Sequence, residues 1–349
     1  MLHEQLSFLK DNYFTHSKNL NWDGVPLPDE PFIQAWNEYI QDIAHKGVFE
    51  ALRQRLVQLN FPVKEGMSAN QDYQLATRKG LAASGMKAAT GARFEEPSSL
   101  KVYLYQTYAG RIPVIETSNR NDFETLVRVF AYRNEPVDIP NSMGACMIKG
   151  YNNWDRVARY EQACAGNFDF NYMKAHRELY QDAFLILTDR EYSGVPAEML
   201  GLADDNWRQL SMIIRREHEA THYFTLRVLG SAKNNLLDET IADYMGIVAA
   251  TGRYKADWFL GFMGLENYPA FRPGGRLINY LKNKEISEEA FDQLKTYVKN
   301  AAENLEKIGD KCSDVYSDKG RYEMLVRLSK TNLIELAEKD PQVLLTGLS

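Results

Sequence analysis

The chain has 349 residues, of which 44% are hydrophobic and 25% charged, proportions typical of a globular protein with a large core. Its net charge is −6 at pH 7 and its basic residues are dispersed, so we expect no nucleic-acid partner. The longest apolar stretch, residues 258–265, is too short to span a bilayer, which predicts no membrane partner.

The N-terminal sequence and the cysteine content predict the cellular compartment of the protein. Residues 1–6 lack the basic segment and apolar run of a secretory signal, so we expect none. Cys146, Cys164 and Cys312 are widely spaced and odd in number, which is typical of a protein whose thiols stay reduced. Together these features predict a cytoplasmic protein. Nothing in the pattern indicates an oligomeric state.

The first part of the chain, residues 1–98, is predicted to be helical. Pro31 suits the first turn of a helix whose apolar residues recur at helical spacing over residues 32–43. A second helix is expected over residues 48–59. The segment 73–92 is rich in alanine, glycine and lysine, which fits either a loose helix or an ordered loop.

The pattern changes to β-structure near residue 100. Residues 102–105 and 112–115 are rich in β-branched and aromatic side chains on either side of a glycine turn, which predicts a hairpin. A helix is expected over residues 122–132, and two more strands are expected within residues 141–154 and at 183–188. The predicted fold class is therefore α+β, mainly helical, with a small sheet.

Helices return after the sheet. Asp204 or Asp205 is expected to cap a long helix that ends at Gly230, and a second helix is expected to begin near residue 234 or 235. The sequence thus predicts an N-terminal helical region, followed by a second region with a sheet and then helices. The predicted boundaries are 1–98 and 99–349, the latter divided into 99–200 and 201–349.

The long helix contains the sequence His218-Glu219-Ala220-Thr221-His222. Residues four apart lie on one face of a helix, so His218 and His222 can present two imidazole nitrogens to a single cation. Glu219 is then turned aside, toward a water on that cation. These ligands suit Zn²⁺, which keeps one position open for water in catalytic sites.

A third ligand is expected from the next helix. Two helices joined by a short turn pack as neighbours, which returns Glu239 toward His222. Asp243 lies one turn further along, where its carboxylate can accept the second N–H of a ligand histidine. The alternative is an amphipathic helix with two ordinary buried histidines. It fits poorly, because these polar side chains would be desolvated without a cation.

The pattern His218-Glu219-x-x-His222 followed by Glu239-x-x-Ala242-Asp243 resembles the zinc site of the gluzincin metallopeptidases. The resemblance covers residues 218–243 and implies a zincin-like metallohydrolase domain, with its small sheet before the metal-bearing helix. The zinc ligands that it implies are His218, His222 and Glu239. It also implies that Glu219 is the general base and that Asp243 supports a ligand histidine. Sixteen residues separate His222 from Glu239, fewer than in most of that clan, which requires a tight loop.

The resulting hypothesis is a zinc-dependent hydrolase, more specifically a peptidase, whose substrate is a peptide or another amide. Glu219 would take a proton from the attacking water and pass it to the leaving amine. A donor for the oxyanion is also needed, and Arg276 is preferred because Gly274 and Gly275 let its guanidinium approach a ligand. The full set of candidate donors is Tyr223, Tyr268, Arg272, Arg276 and Tyr280.

Two other functions remain open at this point. One is a zincin-shaped binding or regulatory protein whose zinc is structural or vestigial, and which would be inactive but would unfold when chelated. The other is a di-iron helical protein, because Glu219-x-x-His222 also fits that pattern. The di-iron hypothesis requires a second Glu-x-x-His, and no other histidine has a glutamate three places before it.

Overall fold

The structure is a computed structural model that describes residues 2–16, 21–233, 235–281, 284–341 and 343. Over these residues the protein is α+β and mainly helical, with a small four-stranded sheet, which confirms the predicted class. The strands are β1 Lys101–Thr107, β2 Gly110–Thr117, β3 Ala145–Asn152 and β4 Gln181–Thr188. The helices are α1 Leu2–Gln5, α2 Phe32–Lys46, α3 Val48–Arg55, α4 Gln71–Lys79, α5 Arg120–Phe130, α6 Trp154–Ala163, α7 Phe170–Ala175, α8 Asp204–Leu229, α9 Leu236–Thr251, α10 Ala256–Met263, α11 Glu288–Lys311, α12 Asp318–Leu328 and α13 Leu333–Glu338.

The chain divides into two compact units. The sheet unit is Pro26–Asp189, and the helical unit combines Met1–Val25 with Arg190–Ser349. The boundary expected from the sequence, between residues 98 and 99, falls inside the sheet unit. The sheet and the long helix α8 therefore belong to different units. None of the described helices is both long and apolar enough to cross a bilayer.

The sheet has the strand order β1-β2-β4-β3. Strands β1 and β2 pair antiparallel, which confirms the predicted hairpin. Strands β2 and β4 pair parallel, with Val114 opposite Leu185, and β3 pairs antiparallel with β4. A parallel pair requires a long crossover connection, and the segment that contains α5, β3 and α6 supplies it.

One core joins the early helices to this sheet. Trp36 of α2 is fully buried, and its ring centroid lies 5.3 Å from that of Phe184 in β4. Phe123 of α5 and Ile186 of β4 belong to the same core. Burial of each large apolar side chain contributes about 1.5–3 kcal/mol. The helices of residues 32–55 therefore fold with the sheet rather than as a region of their own.

The buried carboxylate of Asp182 ties three elements of the sheet unit together. It accepts hydrogen bonds from Trp36 Nε1 (2.9 Å), Asn153 Nδ2 (2.7 Å) and Arg156 Nη1 (2.7 Å). A buried charge costs several kcal/mol unless it is paired and hydrogen-bonded. This carboxylate meets both conditions, so it connects α2, β4 and α6.

The sequence of residues 73–92 fitted either a loose helix or an ordered loop. In the structure the segment begins as a helix and continues as turns. Helix α4 ends at Lys79, and Gly80 adopts a left-handed conformation with φ 71°. A β-carbon at this position would lie 2.4 Å from a ring carbon of Trp154. Only glycine fits both the backbone angle and this contact, so the helix ends here.

The N-terminal segment belongs to the helical unit because its polar groups bond there. The backbone N–H of Thr15 donates to Leu229 O at 2.9 Å. Asn12 Nδ2 donates to the carbonyl oxygens of Ser329 and Thr331, at 2.8 and 2.6 Å. These bonds link the start of the chain to the ends of α8 and α12.

The ends of α8 and α9 differ slightly from those expected. The N-cap of α8 is Ala203, so the prediction that Asp204 or Asp205 caps the helix is wrong; both lie in the first turn. There they still interact favourably with the helix dipole. Gly230 ends α8 with φ 71°, as predicted. Residue 234 lies outside the described residues, and Asn235 caps α9 by accepting the Asp238 N–H at 2.9 Å.

Candidate metal centre

Helices α8 and α9 pack very closely beside the His-Glu-x-x-His sequence. Gly246 of α9 faces Ile214 of α8, and a β-carbon at Gly246 would lie 2.8 Å from the Ile214 carbonyl oxygen. A larger residue would push the helices apart. The contact lies one turn from His218 on α8 and one turn from Asp243 on α9. It therefore sets the helix spacing at which the polar side chains meet.

The three predicted ligands converge between these helices. The Nε2 atoms of His218 and His222 are 3.0 Å apart. Glu239 places Oε2 3.5 Å from His218 Nε2 and Oε1 3.6 Å from His222 Nε2. All three side chains are buried, and one ligand atom from each lies within 4.8 Å of the others. Two nitrogens and one carboxylate thus face a common point.

Each histidine has a carboxylate behind it. His218 Nδ1 lies 2.9 Å from Asp243 Oδ1, and His222 Nδ1 lies 3.4 Å from Asp238 Oδ1. Asp238 is itself held by the Lys233 backbone N–H at 3.1 Å. The hydrogen bond to Asp243 favours the His218 tautomer with its proton on Nδ1 and leaves Nε2 free as a ligand. His222 Nδ1 makes no hydrogen bond to any residue that the structure describes, so Asp238 acts on it through its charge.

This arrangement fits a cation better than it fits the side chains alone. In the neutral tautomers that a metal requires, with both protons on Nδ1, His218 and His222 would direct lone pairs at each other across 3.0 Å; without a metal, a proton on one Nε2 satisfies this contact, in line with the raised pKa of His218. Two lone pairs at that distance repel each other unless a positive charge lies between them. Two imidazoles and one carboxylate are donors that Zn²⁺ accepts. The donor set of this site therefore fits the expected metal.

The charges around the site also favour a cation. Burial lowers the pKa of His218, but hydrogen bonds and charges from Asp243 and Glu239 outweigh it and raise the pKa to about 10. Burial likewise lowers the pKa of His222, and Asp238 raises it above its usual value. For Glu239 and Asp243, burial raises the pKa, but the neighbouring histidines and Arg276 hold it below the usual range. The site thus stabilises added positive charge.

Arg276, the predicted oxyanion donor, reaches the cluster from the other side. Its Nη2 donates to Asp243 Oδ2, and its Nη1 donates to the Tyr192 hydroxyl at 3.1 Å. The same hydroxyl donates to Asp243 Oδ1 at 2.6 Å. Arg276 and Tyr192 therefore hold the carboxylate that contacts His218. Both Nη atoms of Arg276 are engaged in these contacts.

The two glycines before Arg276 have a structural explanation that differs from the expected one. A β-carbon at Gly275 would lie 2.5 Å from the Cα of Gly264 and from the Met263 carbonyl oxygen. Gly274 has φ 86°. The loop therefore needs glycine to pack on the end of α10 and to turn, and this packing delivers Arg276 to the cluster.

Glu219, the predicted general base, lies between the two ligand histidines in the sequence and is half-buried. Within the described part of the chain, its carboxylate has no hydrogen-bond or ion-pair partner. It therefore stays available to a water or a substrate. The structure places no ligand atom of Glu219 in the metal-binding group.

Of the five candidate donors, Tyr280 also contacts the ligands. Its hydroxyl donates to Glu239 Oε2 at 3.0 Å. Burial raises the pKa of Tyr280 well above its usual value, so it keeps its proton at neutral pH. Arg272 instead bonds Glu266 Oε1 at 2.6 Å, and the Tyr268 hydroxyl lies 3.0 Å from Thr296 Oγ1. These two side chains have partners away from the cluster.

A comparison with protein families gives a match over residues 2–340, nearly the whole chain. The chain belongs to DUF7005, a family of unknown function. No curated protein and no solved structure matches it. Membership of DUF7005 therefore brings no substrate or activity with it, and the function has to be argued from the site.

For two residues of the cluster, no role was predicted from the sequence. Asp238 directly precedes Glu239, and its helical position could have suggested contact with His222, just as Asp243 was assigned to a ligand histidine. Tyr192 lies in a short turn 26 residues before His218. No periodic signal connects it to the helices, so only the folded structure shows that contact.

Proposed function

We propose that this DUF7005 protein is a zinc-dependent hydrolase that cleaves peptides or other amides. The observation that carries the proposal is the convergence of His218 Nε2, His222 Nε2 and the Glu239 carboxylate within 4.8 Å. The carboxylates of Asp243 and Asp238 behind the two imidazoles add to it. The arrangement would hold one divalent ion firmly and orient each ligand.

The number of donors favours a catalytic ion over a structural one. Structural zinc sites in proteins usually have four protein ligands, whereas catalytic sites have three and leave a position for water. Among the described residues, the metal-binding group consists of His218, His222 and Glu239 alone. Zn²⁺ bound there would supply Lewis acidity and lower the pKa of a coordinated water.

Glu219 is proposed as the general base. It is fixed to the same turn of α8 as both ligand histidines, and its carboxylate has no partner within the described residues. An unpaired carboxylate can accept a proton from the attacking water at Oε and then donate it to the leaving nitrogen. A positioned acid–base group of this kind contributes about 10²–10⁴ in rate.

Tyr280 and Arg276 are proposed to have different tasks. The Tyr280 hydroxyl donates its one proton to Glu239 Oε2 at 3.0 Å, so it lies at the candidate ligands and would have to turn that proton from Glu239 to an oxyanion that forms beside them. Arg276 has its Nη atoms on Asp243 and Tyr192. We therefore propose Arg276 as a positioning residue for Asp243 and His218, and Tyr280 as the preferred oxyanion donor.

A zincin-like fold is part of the same proposal. Its support is the pair α8 and α9, joined by a short turn, with the two histidines on one helix and Glu239 on the next. Cytoplasmic localisation is likewise proposed, on the three free cysteines.

One observation favours a second function, in which the metal is structural. His218, His222 and Glu239 are each only 5–6% exposed, and the Tyr280 hydroxyl already occupies one oxygen of Glu239. A closed site of this kind suits an ion that holds α8 and α9 together in a binding or regulatory protein.

Metal analysis combined with a peptide-library digest distinguishes these functions. The hydrolase proposal requires about one zinc per chain, together with cleavage that disappears in Glu219→Gln while the zinc remains. Zinc-loaded wild-type protein that cleaves no member of the library would favour the structural role. A protein purified without any transition metal, and unable to take one up, would exclude both.

A further inference from the structure

A cavity lies beside the candidate metal centre, within the helical unit. Tyr280 belongs to both, because its side chain lines the cavity and its hydroxyl donates to Glu239 Oε2. The first turn of α9 is shared as well: Leu236 and Leu237 line the cavity, and Glu239 follows two residues later. The side chain of Tyr280 therefore connects the cavity to Glu239 Oε2, an oxygen of a candidate ligand.

The floor of the cavity is apolar. It is formed by leucines that are each less than 5% exposed and that come from the N-terminal segment, α9 and α13. These are Leu9, Leu236, Leu237 and Leu333. A charged group placed among them would lose its hydration without gaining a partner, at a cost of several kcal/mol. Apolar surface buried there gains about 25 cal/mol per Å².

The rim carries one charge of each sign, and both charges are already engaged. Asp11 Oδ2 accepts a hydrogen bond from the Tyr13 hydroxyl at 2.8 Å. Lys284 Nζ lies 4.3 Å from the centroid of the Phe8 ring, a distance at which the cation interacts favourably with the ring. Opposite charges at one rim do not select a ligand of either sign. The apolar floor therefore determines which ligand the cavity prefers.

The size of the cavity limits its occupant. Its volume is about 60 Å³, and one water-sized group requires about 10–15 Å³ measured in this way. The cavity therefore holds about four to six such groups. The side chain of leucine has four carbon atoms beyond Cα and fits this limit, whereas an indole ring exceeds it.

We propose that this cavity binds an aliphatic side chain of the substrate, next to the bond that is cleaved. This inference rests on the proposed hydrolase function and names its substrate class: peptides or amides with a leucine-sized residue at that position. One methylene in an apolar pocket changes affinity by about 10- to 200-fold. Leucine should therefore be preferred over glycine by at least about tenfold.

Binding of amino-acid hydroxamates to the zinc-loaded protein tests the inference without requiring turnover, because the hydroxamate group binds the metal and the side chain probes the cavity. Calorimetric titration should give leucine hydroxamate at least about tenfold tighter binding than glycine hydroxamate, and tighter binding than the glutamate and lysine compounds. Equal affinities, or a preference for a charged side chain, would overturn the proposal.

Two substitutions locate the selectivity. Leu333→Phe fills the cavity and should reduce the ratio of leucine to glycine affinity to about one. Ile334→Phe is the matched control, since Ile334 lies in the same helix and does not line the cavity; the ratio should not change. If Leu333→Phe does not fold, Leu9→Ala enlarges the cavity instead and should shift the preference toward phenylalanine hydroxamate. If the ratio of leucine to glycine affinity stays unchanged in folded Leu333→Phe, or the side-chain preference stays unchanged in Leu9→Ala, the cavity does not determine the selectivity and the proposal is overturned.

The titrations separate this inference from the hydrolase proposal. Selective binding of leucine hydroxamate by a protein that cleaves neither peptides nor other amides supports the cavity as a site for an aliphatic side chain and removes the hydrolase function. Cleavage without a preference for aliphatic side chains supports the hydrolase and overturns the cavity. A zinc-loaded protein that binds none of the hydroxamates overturns the cavity as well, because its metal is then closed to ligands.

Discussion

Gly246 of α9 packs directly on the backbone of Ile214 in α8: a β-carbon on Gly246 would lie 2.8 Å from the Ile214 carbonyl oxygen and 2.9 Å from its Cγ2. Backbone cannot yield as a flexible side chain does, so an added methyl group has to separate the helices. The candidate ligands come from both helices, His218 and His222 from α8 and Glu239 from α9. The contact therefore controls how well the three donors converge.

We predict that Gly246→Ala weakens zinc binding. Overpacking costs about 1–3 kcal/mol, and if that strain falls on the ligand spacing, affinity drops by about 5- to 150-fold. Alanine also improves helix propensity by about 1 kcal/mol, so the melting temperature should change little. Competition with a chromophoric chelator measures the affinity.

Gly261→Ala is the matched control for this substitution. Gly261 is also inside a helix, α10, and no heavy atom lies within 4 Å of its added β-carbon. This variant should keep full zinc affinity and gain up to about 1 kcal/mol of stability. Unchanged affinity in Gly246→Ala would show that helix spacing does not limit binding.

A second prediction concerns the carboxylates behind the histidines. Asp243→Asn replaces the acceptor at His218 Nδ1, and Asp238→Asn removes the negative charge 3.4 Å from His222 Nδ1, so each should lower zinc affinity by about 10- to 100-fold. Asp243 also bonds Arg276 and Tyr192, so its loss should be the larger of the two. Asp257→Asn, an exposed position in α10, should leave the affinity unchanged. Equal affinity in all three variants would contradict a supporting role for both carboxylates.

The grouping of His218, His222 and Glu239 could be predicted from the sequence because it depends on local geometry. Helical periodicity places His218 beside His222, and a short turn returns Glu239 to them. The strands near residue 100 were also predicted, since β-branched and aromatic side chains mark them. These features require only contacts between residues that are near in sequence or joined by a tight turn.

The remaining features depend on long-range packing. Trp36 joins α2 to the core of a sheet that begins 65 residues later, so α2 belongs to the same compact unit as the sheet. Gly275 was assigned to ligand approach, whereas it packs on Gly264. Neither contact can be predicted from periodicity in the sequence, because hydrophobic patterns indicate which face of an element is buried but not what covers it.

A third prediction tests the core of the sheet unit. Asp182→Ala leaves Arg156 buried without its partner and removes the acceptor of Trp36 Nε1. Loss of one member of a buried pair costs about 3–5 kcal/mol, measurable by urea unfolding. Asp29→Ala breaks the more exposed ion pair with Arg111 and should cost no more than about 1 kcal/mol. Similar losses of unfolding free energy in both variants would mean that the Asp182 cluster stabilises the core no more than an exposed ion pair does.

A fourth prediction concerns Glu219. Glu219→Gln should keep the zinc and lower kcat by about 10²–10⁴ or more, because an amide cannot accept the proton of the attacking water. The control is Glu217→Gln on the same helix. Glu217 lies outside the metal-binding group, and burial raises its pKa to about 7, so it is less fully ionised than an exposed glutamate at neutral pH, and activity should persist. Equal activity in wild type and Glu219→Gln would remove Glu219 from the mechanism.

The last prediction is that removing the metal lowers stability without unfolding the chain. A ligand present at 100 times its dissociation constant stabilises the folded state by about 2.7 kcal/mol, and chelation removes this contribution. The fold of α8 and α9 does not depend on the ion alone, since both helices bury large apolar side chains: Ile214 and Phe224 of α8, and Ile241 and Met245 of α9. The chelated protein should therefore keep its far-ultraviolet circular dichroism at 25 °C and melt at a lower temperature. Loss of the helical signal on chelation, restored by zinc alone, would instead favour the structural role, because only an ion that holds the fold together produces that result.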